Sequence, residues 1–471
     1  MKSKRNLSVI AYMAVFLMAC APVARHPDLG RIYDNLAQTK DPYRNPIIVI
    51  PGLLGSRLVQ QGSGTVVWGA FGLGQVDPNT PEGARMVALP MRRGAPLSAL
   101  RDDNAPDGAL DRLIYNVLGV PIALNAYYRI LRILGVGGYR DQQLAHAIDY
   151  GDQHFTCFQF DYDWRRDIVE SAIQLDRFIK AKQAYVRQEV VNRYGLKIEH
   201  VKFDIVAHSM GALVARYYIR YGSQELPEDG SLPELTWEGA RHVERLVMIG
   251  PPNAGALDAL LHLTSGIKPG TFFPTYPAAI VGTMPSAYQL LPRSRHQAIL
   301  GSSGNPIKDL YAPELWRQNQ WGLADPRQEE VLKNLLPEIQ SASKRRQIAL
   351  DHQAKALRRA KHFAAAMDRP ARPPSGVQLF LVAGDAKATN KTAQFDAQGN
   401  LRIVEKGPGD GSVLRSSALL DERLGSEVHQ RLKSPISWNQ VLFLFSDHLG
   451  MTEDPAFSDN ILYFLLEQPM T

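Results

Sequence analysis

Apolar residues along the chain follow two rhythms. Short apolar stretches occur at Pro46 to Ile50, Val201 to Val206, Val243 to Ile249, Val377 to Ala383 and Val441 to Phe445. Such β-branched runs, several closed by glycine or proline, predict strands buried on both faces of a parallel sheet. Between them the spacing turns helical. Ile168, Ala172, Leu175 and Ile179 lie on one helical face, and Gly195 supplies the left-handed turn that ends the helix. Ala212 to Arg220 and residues 458–467, with Ile461, Leu462, Leu465 and Leu466, predict two further helices. In 110–134, Leu113, Val117 and Val120, then Tyr127, Ile130, Leu131 and Leu134, also fall at helical spacing. Strands alternating with helices imply an α/β fold with a mostly parallel, two-sided sheet. It spans 46–471, with insertions at about 57–140 and 254–372 where the alternation is lost.

The insertions hold two candidate lipid-contacting segments. Trp68 and Phe71 sit among Gly69, Gly72 and Gly74, and suit either burial in the domain or contact with a membrane. In 344–369, eight basic residues surround Leu350, Leu357, Ala364 and Met367. This basic amphipathic helix is suited to packing on a cap or to lying on an anionic lipid surface.

The first residues change the picture. Lys2, Lys4 and Arg5 precede an apolar run, Leu7 to Leu17, and then Leu17-Met18-Ala19-Cys20. That arrangement describes an export signal over 1–19, and the run is short for a membrane span of about 20 residues. Its ending is that of a bacterial lipoprotein, in which Cys20 is acylated and 20–45 is a polar tether. Ala21, following Cys20, suggests a protein of the cell envelope, held at the outer membrane and facing the periplasm. The other cysteine, Cys157, then has no partner and no disulfide is expected. Removing the three basic residues with the leader lowers the formal charge from +6 to +3, too little to suggest nucleic-acid binding.

The chemistry centres on Ala207-His208-Ser209-Met210-Gly211, a nucleophile elbow between a strand and a helix, with Ala207 at the first glycine position. On an α/β-hydrolase the acid and then the histidine follow the serine in the chain. Beyond Asp410 only His429 and His448 remain, and His448 directly follows the last strand, at the functional end. Asp385 and Asp410 both lie between the last two strands, and spacing leaves the choice of acid open. Asp447 reads as structural. Leu53, after Pro51-Gly52, and Met210 are placed to donate backbone N–H groups to an oxyanion. Tyr162-Asp163-Trp164-Arg165 reads as a lock on the start of the next helix, with head-group binding as the alternative. Neither a metal-binding His-Glu-x-x-His nor a phosphate-binding glycine–lysine loop is present, so no metal or cofactor is expected.

Together these segments resemble a known family. PIIVIPGLLGSRL (46–58), FDYDWRR (160–166), AHSMG, PSAYQLLP (285–292), GDGSV and the terminal DHLGM are similar, in order, to motifs of the lecithin:cholesterol acyltransferase family. That family includes lysosomal phospholipase A2 and phospholipid:diacylglycerol acyltransferase. The resemblance implies Asp410 as the acid, Leu53 and Met210 as oxyanion donors, a membrane-binding subdomain and a cap with a lid. It departs from the family at Ala207 and in lacking cysteines for disulfides near the lid. The expected activity is acyl transfer from a phospholipid or other lipid ester through an acyl-serine, to water or an alcohol. A small-ester carboxylesterase and an inactive lipid-binding envelope lipoprotein are the alternatives.

Overall fold

The apolar run after Pro46 forms strand β1 (Ile47–Ile50), and its neighbours explain why it is apolar throughout. Ile48 and Ile50 pack against the face covered by helices Ile168–Tyr194 and Met210–Tyr221. Ile47 and Val49 pack against the other face, under helices Tyr128–Val136 and Pro455–Leu466. This computed structural model describes residues 28–70, 76–109, 113–117, 120–124, 127–269, 273–423 and 431–467, with backbone only at 113–117 and 120–124.

The other central strands are β2 (Cys157–Gln159), β3 (Phe203–His208), β4 (Val243–Ile249), β5 (Gln378–Gly384) and β6 (Gln440–Leu444). Among the described residues these six strands form a parallel sheet ordered β6-β5-β4-β3-β1-β2. This is the parallel α/β sheet expected from the alternation of elements, in the α/β-hydrolase architecture expected from the elbow. The chain leaves β1 to one side to form β2, then crosses back so that β3 flanks the opposite side of β1. The order therefore reverses between β1 and β3, and their outgoing loops open a crevice at the carboxyl edge.

The expected helices at 168–194, 212–220 and 458–467 are all present, within a few residues at their ends. Asp167 caps the first, accepting from the Val169 N–H, and Gly195 ends it at φ 65°. Segment 110–134 differs from expectation. Leu113–Val117 pairs antiparallel with Val120–Leu124, and the helix begins only at Tyr128. Pro121 accounts for the difference, because proline inside a helix removes a hydrogen bond and clashes with the preceding turn. Part of the expected tether is also structured. Leu29–Gln38 is a helix whose buried Tyr33 donates to Asp459 on the last helix, at 3.1 Å. Leu29, Tyr33 and Leu36 give it an apolar face that packs on the core.

The described parts of 57–109 and 254–372 join into one roof, whereas helix Tyr128–Val136, inside the first expected insertion, lies on the core. Residues Ser56–Gln60, Val66–Trp68 and Asn104–Ala109 form a small antiparallel sheet, with helix Pro81–Val87 between its second and third segments in the chain. The segment after that helix bonds to the 27-residue basic helix Ala342–Asp368. Lys355 donates to the Arg92 and Ala95 carbonyls at 3.1 and 2.6 Å, and Asp351 accepts from the Gly94 N–H at 3.0 Å. On the same helix Arg345 pairs with Glu329, Arg359 with Asp167 and Glu225, and Lys361 with Asp309. One face is buried at Ala349, Ala356, Leu357, Phe363 and Met367. The amphipathic pattern therefore serves packing, its cations bind partners within the roof, and Arg359 ties the roof to the core.

Candidate functional site

The crevice at the carboxyl edge is shaped by backbone. Ser209 has φ 51° and ψ −123°, a conformation few non-glycine residues adopt, and it is held between β3 and the helix starting at Met210. Its N–H donates to the Ile249 carbonyl at 2.7 Å, anchoring the turn to β4. Glycines at the strand ends let neighbouring loops approach closely. A Cβ on Gly52 would lie 2.8 Å from the Ser209 Cβ, and one on Gly384 would lie 2.7 Å from the Asp410 Cβ. A Cβ on Gly211 would strike the Pro51 carbonyl oxygen.

Three side chains meet there. His448 Nε2 lies 3.0 Å from Ser209 Oγ, and His448 Nδ1 lies 2.7 Å from Asp410 Oδ2. Asp410 is buried, which raises its pKa. The adjacent His448 and the N–H groups of Val413 and Ser412 outweigh that and hold the carboxyl below its ordinary value. Asp385 is elsewhere, paired with Arg415 at 3.0 Å. Asp447 accepts from the Gly450 N–H at 2.7 Å and so stabilises the turn after His448. His429 and Cys20 lie outside the described residues, as does Phe71.

The loop after β1 lies against the elbow, with Leu53 directly after the tightly packed Gly52. Met210 opens the 12-residue helix Met210–Tyr221, at whose start N–H groups lack helical acceptors. Two further residues belong to this layer and were not singled out by the sequence. Tyr127 is buried, its hydroxyl 2.8 Å from the Gly52 N and 3.1 Å from His208 Nδ1. His208 Nε2 lies 3.1 Å from the His448 carbonyl oxygen. Burial, then the neighbouring His448, push the His208 pKa down to about 3, so it is neutral at ordinary pH. The position of His208 beside the serine was the available signal. Tyr127 gave none, because it fits an apolar helical face.

Above the three side chains is a cavity of about 620 Å³. Trp68, Trp164, Phe273, Tyr276, Met284 and Leu290 make most of it apolar, with Ser209 and His448 on its floor. Trp68 is buried, its indole N–H donating to the Leu54 carbonyl at 2.8 Å. The FDYDWRR segment supports this wall. Arg165 is fully buried and pairs with Asp163 and Asp102 at 2.7 and 2.8 Å, which leaves it no access to a head group. The PSAYQLLP segment locks onto it. Ser286 Oγ donates to the Trp164 carbonyl at 2.6 Å, and Gln289 bridges the Ile168 N–H and Asp167 at 2.8 and 2.7 Å. Among the described residues no cluster of His, Cys, Asp and Glu suits a metal, and no helix is long and apolar enough to cross a membrane.

Residues 144–321 match the family model described as lecithin:cholesterol acyltransferase, the family that the sequence motifs resemble. No curated protein matches the chain in sequence. Among solved structures, a chain of the Tle4–Tli4 complex aligns at 15% identity and a TM-score of 0.49, over 90% of this chain and 98% of its own. Lipase 1 from Pelosinus fermentans aligns at 13% and 0.35, over 91% and 100%. EstA from Clostridium botulinum aligns at 13% and 0.34, over 95% and 100%. Likenesses this distant say nothing about activity.

Proposed function

We propose that this chain, whose residues 144–321 match the lecithin:cholesterol acyltransferase family model, takes an acyl group from a phospholipid through a covalent Ser209 ester. The observation that carries this reading is the Ser209–His448–Asp410 arrangement at the floor of an apolar cavity. His448 Nε2 takes the Ser209 proton as Oγ bonds to the ester carbonyl carbon, while Asp410 stabilises the imidazolium at Nδ1. The N–H groups of Leu53 and Met210 hold the oxyanion, each contributing roughly 3–4 kcal/mol to the transition state. The carbonyl reforms as the bond to the leaving alcohol breaks, and His448 returns its proton to that alcohol. Water or a lipid alcohol then gives its proton to His448, bonds to the acyl carbon and releases Ser209. The apolar wall holds the acyl chain. The roof built from the described parts of 57–109 and 254–372 acts as the cap over it.

We further read 1–19 as a cleaved export signal and Cys20 as the lipidated first residue of the mature chain, holding the enzyme at a bacterial envelope membrane. Labelled palmitate tests this. Incorporation into the parent and not into Cys20→Ser supports it, and equal labelling removes it.

The activity test follows the acyl group. Mature protein lacking Cys20 is given phospholipid vesicles with labelled acyl chains and a long-chain alcohol, and products are identified by mass spectrometry. Free fatty acid with lysophospholipid means transfer to water, and a new ester means transfer to the alcohol. Turnover of short soluble esters alone would replace this reading with a small-ester esterase. No turnover of any ester would leave a lipid-binding protein.

A further inference from the structure

We propose that Tyr127 and His208 are positioning residues, forming a buried hydrogen-bond chain that fixes the oxyanion loop against the loop carrying His448. The proposal rests on the serine mechanism above and concerns groups that never touch the reacting bond.

The proton positions follow from the two ends of the chain. The Gly52 N–H can only donate, so the Tyr127 oxygen accepts from it at 2.8 Å. The His448 carbonyl can only accept, so His208 Nε2 carries a proton and donates at 3.1 Å. A neutral His208 then has a bare Nδ1, which accepts the one remaining proton, that of the Tyr127 hydroxyl, at 3.1 Å. Every donor in the chain meets an acceptor, and only one arrangement of protons does this. Burial, reinforced by His448 with its ring 4.8 Å away, keeps His208 neutral, so the chain survives when His448 charges during turnover.

The surroundings are built around the same hydroxyl. A Cβ on Gly55 would lie 2.7 Å from it, and the Gly55 N–H donates to the Gly52 carbonyl at 3.0 Å, closing the loop that presents Leu53. Tyr127 thus holds the Gly52–Gly55 turn from beneath. His208, beside the nucleophile, carries the constraint to the main chain of the base. Two groups that must sit correctly relative to Ser209 are tied to each other through the residue preceding it.

The test measures kcat and KM on a soluble ester for the parent, Ser209→Ala, Tyr127→Phe, His208→Asn, His208→Ala and Tyr127→Phe with His208→Ala, each checked for a thermal melting transition. Losing an oxyanion donor outright reduces kcat about 10²–10³-fold, and loosening its loop should reduce it roughly 10–100-fold. Tyr127→Phe is expected to show that loss in kcat with KM within about threefold, because binding is untouched. The double variant is expected to be no more than about threefold worse than the worse single, as for parts of one unit. Asn retains an acceptor near the Nδ1 position and should outperform Ala at 208. If Tyr127→Phe does not fold, the Asn and Ala variants at 208 decide. Near-parent kcat in Tyr127→Phe, losses that multiply, or equal Asn and Ala variants overturn the chain. Parent-like turnover in Ser209→Ala instead removes the serine mechanism itself.

Discussion

The floor and the roof of the cavity are held by different means. The floor is backbone at close quarters: Gly52, Gly211 and Gly384 leave no room for a Cβ, and Ser209, His448 and Asp410 are joined at 3.0 and 2.7 Å. The roof is held by side chains from distant elements, such as Arg359 on Asp167 and Glu225, and Lys355 on the Arg92 and Ala95 carbonyls. A backbone-built floor fixes geometry to tenths of an ångström, which bond-making requires. A side-chain roof can change shape with substitution, which substrate choice requires. Damage to the floor should therefore remove rate, and damage to the roof should alter selectivity or stability.

The largest effect expected is in Ser209→Ala, with ester turnover falling by at least about 10⁴-fold while melting is preserved. Turnover near that of the parent would end the assignment. Asp410→Asn should follow at roughly 10³–10⁴-fold in kcat, with Asp385→Asn within about threefold of the parent. Equal losses at the two positions would mean that the short Asp410–His448 contact is not what orients the base.

In the roof, Met284→Trp should shorten the preferred acyl chain. The ratio of long- to short-chain kcat/KM should drop about tenfold, with the short-chain rate little changed. An unchanged chain-length profile would move the acyl site away from this wall. Arg359→Met should lower stability by about 1–3 kcal/mol, because it leaves the buried Asp167 short of a partner. Denaturant unfolding measures this, and a matching fall in soluble-ester kcat would contradict the separation of roof from floor.

Acid should act on both halves. Burial holds His352 in the roof at about 4 and, with His448, His208 in the floor at about 3, both below the usual 6.5. Below pH 6.5 the unfolded chain takes up protons that the folded chain refuses. Stability is therefore full above that pH and falls as pH drops toward 4, by about 1.4 kcal/mol per unit for each group. Melting midpoints from pH 8 to 4 should show this slope, and His352→Gln should flatten it. A profile unchanged by that substitution would mean His352 does not titrate on unfolding.

The primary sequence by itself determined the sheet strands at 47–50, 203–208, 243–249, 378–384 and 440–444, because burial on both faces demands apolar residues in short unbroken stretches. It determined the elbow, whose small residues and strand-to-helix setting are local, and the helix capped by Gly195. Strand β2 escaped notice because three residues show no periodicity, and Pro121 outweighed an apparent helical spacing. Between Asp385 and Asp410 only motif resemblance could choose. In the structure the hairpin Lys387–Phe395 with Leu401–Gly409 returns the chain to the sheet edge and sets Asp410 beside His448, while Asp385 turns to Arg415. Tertiary structure alone joined Tyr127 to Gly52 and His208 across 75 and 81 residues, and gave Arg345, Arg346, Lys355, Arg359 and Lys361 internal partners. A hydrogen bond or ion pair between distant positions leaves no period in a sequence; it exists only once the fold brings donor and acceptor within reach.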